Sequence, residues 1–351
     1  MTGPIAYPTP ASHAHQSYQP QQRERRNVLK QSQPRRTRNH ARCKTNTNPT
    51  TFTDGHTQTA LLQSCLEAQG NQPSKQDDDF RLKVVNDLEV LLNRWVTSIR
   101  PFQNKNHLSA PSNKKWARPK VCLLPFGSYR LGVHRKDADL DCLCLAPPVS
   151  SRGEFFTSLI KLLKEDDRVQ QVHAISSAYT PVIKFLFQGL HMDLLFARLE
   201  DGTKLAHHQS FMDGRRMEYA IDDADLMGLD EASVRSLNGA RVAQLLLTMV
   251  PNVDTFRMTL RAVKEWALVH GLYSNVLGFL GGVNFAILVA LICKRHDKNA
   301  TPAALLKAFF STFAKWKWPM PVTLVPNCYQ PPQGGTFTGC YIMRLTNPTS
   351  F

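Results

Sequence analysis

Residues 125–147, PFGSYRLGVHRKDADLDCLCLAP, decide the fold of this chain. The stretch opens with Gly127 and Ser128, a pair typical of a tight turn, and closes with an alternating run that holds Asp139 and Asp141. Because successive side chains of a strand point to opposite faces of the sheet, both aspartates should project from one face. The apolar residues of the run should form two rows, Leu143 beside the aspartates and, on the other face, Leu140, Cys142 and Cys144.

The two aspartates need a compensating cation or proton. Two carboxylates about 4 Å apart repel each other by about 4 kcal/mol at an effective dielectric constant of about 20. A divalent cation bound by the carboxylate oxygens would offset this repulsion, and a proton shared between the two groups would do the same. The neighbouring Gly-Ser turn has free backbone amides and no side chain at its glycine, so it can approach phosphate oxygens closely.

Composition limits the class of protein. The 351 residues suggest about two domains, and an apolar fraction of 42% is sufficient for buried cores. A net charge of +15 favours an anionic partner such as a nucleic acid. No two of the eight cysteines form a CxxC pair, and we interpret them as reduced core residues of an intracellular protein.

The chain divides into five predicted regions. Residues 1–56 are rich in basic residues and lack apolar periodicity, so we expect a disordered basic tail. This tail would be a solvated segment, a nuclear-import or RNA-tethering segment, or an organellar transit peptide. Helices (57–95), a mixed-sheet domain (96–200), a helical domain (201–326) and an irregular tail (327–351) follow.

Apolar spacing predicts the helices. The first begins near Thr57 and should bury Leu61, Leu62 and Cys65, and the second follows the acidic Asp77–Asp79. The second helix should bury Phe80, Val84, Leu88, Leu91, Leu92 and Trp95. Later helices are predicted over 155–163, over 256–270 with Gly271 at the end, and over 303–316 after Thr301 and Pro302.

Apolar runs predict the strands. A short buried strand covers 121–124, and two further strands, 182–187 and 190–196, form a hairpin at Gln188–Gly189. Asp193 lies in the middle of the last strand, where a carboxylate needs a partner or a metal ion. The 18 residues Val276 to Cys293 could pass for a membrane span, but Gly281, Gly282 and Asn284 favour a buried helix that follows a glycine turn.

These motifs together resemble the nuclear poly(A) polymerases of eukaryotes. The resemblance rests on residues 125–147, on PVIKFLFQGLHMDLLFARL at 181–199, on SLNGARV at 236–242, on residues 256–293 and on FAKWKWPMPVTL at 313–324. It implies an α+β fold, in which a polymerase-β-like nucleotidyltransferase domain with a mixed sheet accompanies a helical central domain that also receives the helices of 57–95. It also implies template-independent addition of AMP from ATP to RNA 3′ ends.

The resemblance assigns roles to individual residues. Asp139, Asp141 and Asp193 match the catalytic acids that bind two Mg²⁺ or Mn²⁺ ions, and Asp193 would orient or deprotonate the RNA 3′-hydroxyl. The residues that match ATP-binding positions are Gly127 and Ser128 at the triphosphate turn, Lys264 and Tyr273 at the triphosphate, Asn275, Gly282 and Val283 near the adenine, and Lys184 and Asn238 near the incoming nucleotide and the primer end. His134 and His191 adjoin the acids, but we do not expect them to be ligands.

The resemblance ends near residue 326. Family members usually continue into an RRM-like RNA-binding domain, whereas residues 327–351 do not resemble that continuation, so we expect the chain to lack it. Alternatives are therefore a catalytically weak RNA- or partner-binding scaffold, a terminal nucleotidyltransferase that prefers another nucleotide, and a DxD glycosyltransferase. The expected partners are ATP, an RNA 3′ end and mRNA 3′-processing factors, without a membrane, and the expected location is the nucleus, with the cytoplasm or an organelle as alternatives.

Overall fold

The computed structural model describes residues 54–99, 120–199, 221, 226–318 and 320–324, all within the compact unit Thr53–Phe351. Most of the predicted basic tail, residues 100–119 of the predicted mixed-sheet domain, residues 201–220 of the predicted helical domain and the predicted 327–351 tail lie outside these residues. Gly55 and His56 were assigned to the tail, but they already belong to helix α1, Gly55–Ala68. Asp54 caps this helix, since its carboxylate accepts a hydrogen bond from the Thr57 amide at 2.7 Å.

A five-stranded mixed sheet follows the two opening helices. Its strands are β1 (Cys122–Pro125), β2 (Leu140–Ala146), β3 (Val169–Ile175), β4 (Val182–Phe187) and β5 (Leu190–Arg198). They lie in the order β1-β2-β5-β4-β3, in which β2 and β5 are parallel and the other neighbours are antiparallel. The prediction of a mixed sheet is confirmed, and so is the hairpin, where Gln188 and Gly189 both adopt positive φ, as its tight turn requires.

Strand β3 is absent from the sequence-based expectations. It lies at the edge of the sheet and is mostly exposed, so its sequence VQQVHAI lacks the apolar row that a buried strand shows. Gln171, with a φ of 53°, and a register shift next to it also interrupt the period of two. Neither signal is visible to a pattern search, because each depends on the neighbouring strand β4.

The two faces of β2 pack against different layers, as the alternation predicts. Leu140, Cys142 and Cys144 belong to one core cluster, and Leu143 and Leu145 belong to another on the opposite face. The first cluster includes helix α2 (Lys75–Ile99) and the helices α4 (Arg152–Phe156) and α5 (Ser158–Glu165). A single helix was expected over 155–163; the break at Thr157, with a φ of −122°, divides it.

The opening helices differ from the expectation in two respects. Leu61 and Cys65 are exposed, whereas Leu66 is buried, so α1 uses a face one residue away from the predicted one. Phe80 of α2 is likewise 42% exposed. Helix α2 was assigned to the central domain with the rest of 57–95, but its buried residues join the core beneath the sheet.

Four longer helices follow the sheet. They are α6 (Glu231–Met249), α7 (Val253–Val269), α8 (Gly282–Arg295) and α9 (Pro302–Phe313), and a five-residue helix, α3 (Gly127–Leu131), lies earlier between β1 and β2. Helix α7 lies within the predicted 256–270 helix over most of its length, and helical spacing places its buried Phe256, Leu260, Val263 and Ala267 in one apolar stripe. Helix α9 begins after the Thr301 cap as expected but ends at Phe313, three residues before the predicted Trp316.

The apolar run from Val276 to Cys293 is not one helix. A short 3₁₀ turn at Asn275–Leu277 and the glycines at 281 and 282 precede α8, whose residues from Phe285 to Cys293 are buried in the helical core. No helix in the described part of the chain has the length and apolarity needed to cross a membrane. None of the five cysteines within the described ranges forms a disulfide bond, and only Cys65 is exposed.

Candidate active site

Three aspartates meet at one end of the parallel pair β2 and β5. Asp141 and Asp193 occupy paired positions across this ladder, and Asp139 lies one residue before β2 begins. One carboxylate oxygen from each residue lies within 4.8 Å of the others. Asp139 and Asp141 are two residues apart, and the parallel register of β2 with β5 brings Asp193 beside them, although it lies more than 50 positions later in the chain.

The electrostatics of this cluster disfavour three full negative charges. Burial raises the pKa of Asp141 to about 7, and repulsion from Asp139 and Asp193 contributes to the increase. Lys184 lies opposite Asp193 in the antiparallel pair β4–β5 and donates a hydrogen bond to its Oδ2 atom. The lysine supplies one positive charge, and the remaining charge fits a bound cation, because Mg²⁺ and Mn²⁺ prefer carboxylate oxygens.

Gly127 brings the backbone against this cluster. A β-carbon at this position would lie 2.3 Å from Oδ2 of Asp141, so only glycine fits. Its φ of +63° also favours glycine. The amide of Phe126 donates to the carbonyl oxygen of Asp141 at 2.9 Å, which fixes the turn relative to the strand. Gly127 and Ser128 begin α3, so the first amides of the helix lie beside the acids, both residues being partly buried.

Phe126 and Gly239 support this turn, although neither belongs to the predicted site residues. A β-carbon on Gly239 of α6 would come within 2.8 Å of the Phe126 ring, so the glycine lets the ring pack directly on the helix. Asn238, a predicted nucleotide-site residue, is adjacent to Gly239 and partly buried. The glycine in SLNGARV is the signal that could have indicated a close approach, but its contact is not readable from the motif.

Helix α7 holds the segment that follows α3. Arg257 and Lys264 donate to the carbonyl oxygens of Leu131 and Val133, at 3.0 and 3.1 Å, and Arg261 donates to that of Gly132 between them. The neighbouring side chains of Leu131 and Val133 enter the helical core. Three successive carbonyls are therefore bound by one face of α7.

Lys264, a predicted triphosphate ligand, is buried on this face. It is 8% exposed, and burial lowers the pKa of its ammonium to about 8. Arg135 forms an ion pair with the next residue, Glu265, at 2.9 Å. The lysine is therefore held near the start of the loop that leads to Asp139.

The predicted adenine-site residues lie around the N-terminus of α8, together with Tyr273, which is predicted to contact the triphosphate. Tyr273 stacks on Phe285, with ring centroids 5.9 Å apart, and its hydroxyl would be 2.8 Å from a β-carbon on Gly282. The Asn275 amide would be 2.4 Å from a β-carbon on Gly281. Val283 follows with 40% of its surface exposed. The two glycines thus allow the side chains of the 273–275 segment to lie against the helix.

The two histidines are not part of the acidic cluster. His134 is buried, and its Nε2 atom lies 2.9 Å from the Asp78 carboxylate. His191 is exposed on β5. Within the described ranges, the one group of acids, histidines and cysteines close enough to hold a metal ion is the aspartate triad.

Comparison with known proteins agrees with this arrangement. The family model of the poly(A) polymerase nucleotidyltransferase domain matches residues 46–250, and that of the poly(A) polymerase central domain matches residues 255–334. The chain belongs to the poly(A) polymerase family. The two matches confirm the predicted α+β fold, a polymerase-β-like nucleotidyltransferase domain followed by a helical central domain.

Named poly(A) polymerases align with most of this chain. The chain is 39% identical over 264 residues to nuclear poly(A) polymerase 4 of Arabidopsis thaliana, an alignment of 75% of this chain and 33% of the relative. It is 35% identical over 251 residues to the poly(A) polymerase of Dictyostelium discoideum, covering 72% and 29%. The chain therefore spans about a third of the length of these relatives.

A solved structure shares the fold at low sequence identity. The structure of Cid1 in complex with its short product ApU aligns with 79% of this chain and 79% of its own, with 12% identity and a TM-score of 0.50. At this identity the likeness concerns the fold alone.

Proposed function

We propose that this chain is the core of a template-independent polynucleotide adenylyltransferase, which adds AMP from ATP to RNA 3′ ends. The observation that carries the proposal is the meeting of Asp139, Asp141 and Asp193 beside the side-chain-free turn at Gly127. Membership of the poly(A) polymerase family supports the choice of reaction. The domain limits given above, 96–200 and 201–326, are part of this proposal.

The carboxylates of the triad would hold two divalent ions, Mg²⁺ or Mn²⁺. Bound ions would lower the pKa of the attacking hydroxyl and neutralise charge on the phosphates. Asp193, at the pairing position beside Asp141, would accept a hydrogen bond from the RNA 3′-hydroxyl and orient it toward the α-phosphate. Because the chemistry of phosphoryl transfer is mainly positioning and electrostatics, the protein needs no further nucleophile.

The remaining residues would bind ATP. The first amides of α3, at Gly127 and Ser128, would donate to phosphate oxygens, and the ammonium of Lys264 would neutralise the triphosphate. The hydroxyl of Tyr273 would donate a hydrogen bond to the triphosphate. Lys184 and Asn238 would contact the nucleotide near the primer end.

Base selection would depend on the segment around α8. Asn275, Gly282 and Val283 would form the surface that contacts the adenine. Without a template strand, discrimination comes from such contacts, each of which is worth only about 10- to 200-fold in specificity where it is a matter of shape.

The proposal extends to partners and location. An RNA 3′ end is the acceptor, and the net charge of +15 suits it. We place the protein in the nucleus with mRNA 3′-processing factors, because two of the relatives are named nuclear poly(A) polymerases.

Primer extension tests the proposed activity. The protein is incubated with oligo(A), Mn²⁺ and each ribonucleoside triphosphate in turn, with the Asp141→Ala variant as the control. Extension by wild-type protein with ATP, and its loss in the variant without loss of fold, is expected. Extension with UTP or CTP in preference to ATP would indicate a different terminal nucleotidyltransferase. Failure with every nucleotide, together with RNA binding that Asp141→Ala leaves unchanged, would indicate a scaffold.

A further inference from the structure

Asp139 differs from the other two acids in what holds it. Asp141 and Asp193 lie within the β2–β5 ladder, where backbone pairing fixes both residues. The first paired residue of β2 is Leu140, so Asp139 precedes the ladder, and its side chain is exposed. Its position must therefore be set by whatever holds the loop of residues 133–138.

Arg81 of helix α2 holds the end of this loop. Its Nη2 atom donates to the carbonyl oxygens of Lys136 and Ala138, at 2.9 and 2.7 Å. The peptide group that carries the Ala138 carbonyl also carries the Asp139 amide. Because a peptide group is planar, fixing this carbonyl fixes the direction in which the chain enters Asp139.

Arg81 is the one charged residue among the buried residues of α2. Its side chain is 2% exposed. Within the described residues, its two hydrogen bonds go to peptide carbonyls, and its buried Nη1 atom has no hydrogen-bond partner. A buried cation without a directly bonded carboxylate is unfavourable for stability, and an apolar side chain of similar volume would avoid this cost. A role in the geometry of the loop accounts for an arginine at this position.

Other contacts of α2 act on the same loop. Asp78 lies 2.9 Å from His134, and Asp77 lies 4.0 Å from the ammonium of Lys136. The Lys136 amide also donates to the Asn71 carbonyl, just before the helix, at 2.9 Å. The beginning of α2 therefore forms the support on which the loop before Asp139 rests.

We propose that Arg81 is a positioning residue for Asp139: by binding the carbonyls of residues 136 and 138, it keeps the third carboxylate of the triad in place to bind a divalent cation. The inference rests on the proposed function for its consequence in catalysis, but its effect on the cation can be measured separately. Residues that orient metal ligands typically contribute about 10- to 100-fold to metal affinity or activity.

Binding of Mn²⁺, followed by electron paramagnetic resonance of the free ion in the presence of a non-hydrolysable ATP analogue, tests the proposal. Arg81→Met should weaken Mn²⁺ binding by about 10- to 100-fold. In primer extension it should lower kcat by a similar factor and change the KM for ATP by less than about threefold, and excess Mn²⁺ should restore part of the rate. Arg94→Met is the matched control, because Arg94 is exposed on the same helix, and it should bind Mn²⁺ as the wild type does.

A purely structural role gives a different result. Arg81→Met would then lower the melting temperature while its folded fraction bound Mn²⁺ with wild-type affinity, which overturns the proposal. If Arg81→Met does not fold, Arg81→Lys decides the matter: it keeps the charge without the planar fork, so weakened Mn²⁺ binding supports the proposal and wild-type binding overturns it. Asp139→Asn separates the proposal on Arg81 from the proposed polymerase activity. If the wild-type protein extends no primer but its Mn²⁺ binding is weakened by Asp139→Asn, the polymerase activity is refuted. The effect of Arg81→Met on Mn²⁺ binding then still decides the proposal on Arg81.

Discussion

Gly127 and Asp141 are so close that a β-carbon on the glycine would lie 2.3 Å from the Oδ2 atom of the aspartate. Gly127→Ala should therefore displace the carboxylate or the turn, and a displacement of about 1 Å can reduce the rate by about 100-fold. Primer extension and thermal unfolding measure the two effects. Gly70→Ala is the control, because Gly70 has the same φ of +63° but open space around it. Both variants should lose about 1–2 kcal/mol of stability, and equal activities would contradict the role of the contact.

The raised pKa of Asp141 predicts a pH-dependent stability in the absence of metal ions. The pKa of about 7 in the folded protein lies above the ordinary aspartate value of 3.8, so between these two pH values the folded protein binds a proton that the unfolded chain does not. The contribution of the Asp141 proton to the free energy of unfolding is fully present below about pH 4 and is lost as the pH rises through 7. Relative to wild type, Asp141→Asn should become more stable by about 1–3 kcal/mol between pH 4 and 8, as a pKa unit corresponds to about 1.4 kcal/mol before solvent screening.

Urea unfolding in EDTA at several pH values measures this difference. Asp137→Asn, at an exposed position in the loop before the triad, is the control and should show no comparable pH dependence. Saturating Mn²⁺ should make the wild type more stable than Asp141→Asn, because the ion binds the ionised carboxylate of the wild type. A difference that stays constant from pH 4 to 8 would show that Asp141 ionises normally.

Lys264 predicts an alkaline limit for ATP use. Burial lowers its pKa to about 8, so the ammonium is present below that pH and is lost above it. The kcat/KM for ATP, which reports the free enzyme, should fall by up to about tenfold per pH unit above pH 8. In Lys264→Arg this fall in kcat/KM should begin only beyond pH 10, since a guanidinium stays protonated. A fall in kcat/KM that still begins at pH 8 in this variant would show that a group other than Lys264 causes it.

Gly281 and Asn275 predict a coupled effect on nucleotide choice. A β-carbon on Gly281 would lie 2.4 Å from the Asn275 amide, while the φ of −93° at this glycine suits any residue, so the collision is the main consequence of Gly281→Ala. The ratio of kcat/KM for ATP to that for UTP should fall by about tenfold. In an Asn275→Ala background the same substitution should change the ratio little. Additive effects in this double-mutant cycle would exclude action through the asparagine.

The ion pair between Arg135 and Glu265 should stabilise the contact between the loop and α7. Nη1 of Arg135 lies 2.9 and 3.2 Å from the two carboxylate oxygens, and both side chains are less than 20% exposed. A double-mutant cycle with Arg135→Met and Glu265→Gln, measured by urea unfolding, should give a coupling energy of about 1–2 kcal/mol. The pair of Arg235 with Glu231, whose acid is 88% exposed, should give less than about 0.5 kcal/mol. Equal couplings would contradict the effect of burial.

The sequence predicts those features that depend on local periodicity. A period of two places Asp139 and Asp141 together, and a period near 3.6 identifies the buried stripe of α7. It fails where neighbours decide the outcome. Leu61 and Cys65 of α1 are four residues apart and share one face, but Leu62 and the buried Leu66 share the neighbouring face equally well, and only the packed helices select between the two.

The support of the site is also invisible in the sequence. Arg81 resembles any charged residue of an amphipathic helix, and its burial follows from the approach of the loop at 136–138. The same holds for Gly239, whose hydrogen atom makes room for Phe126 from a distant turn. The motifs therefore indicated the groups proposed to react, whereas the groups that hold them depend on contacts between segments far apart in the chain.

The three carbonyls bound by α7 limit how this protein can be divided for study. A fragment that ended after β5 would expose the peptide oxygens of residues 131–133 and remove the helical surroundings of Leu131 and Val133. Soluble expression of the sheet would consequently require Val253–Val269 in the same polypeptide or added as a separate peptide. Complementation between two such pieces would then provide a direct assay of how strongly the halves recognise each other.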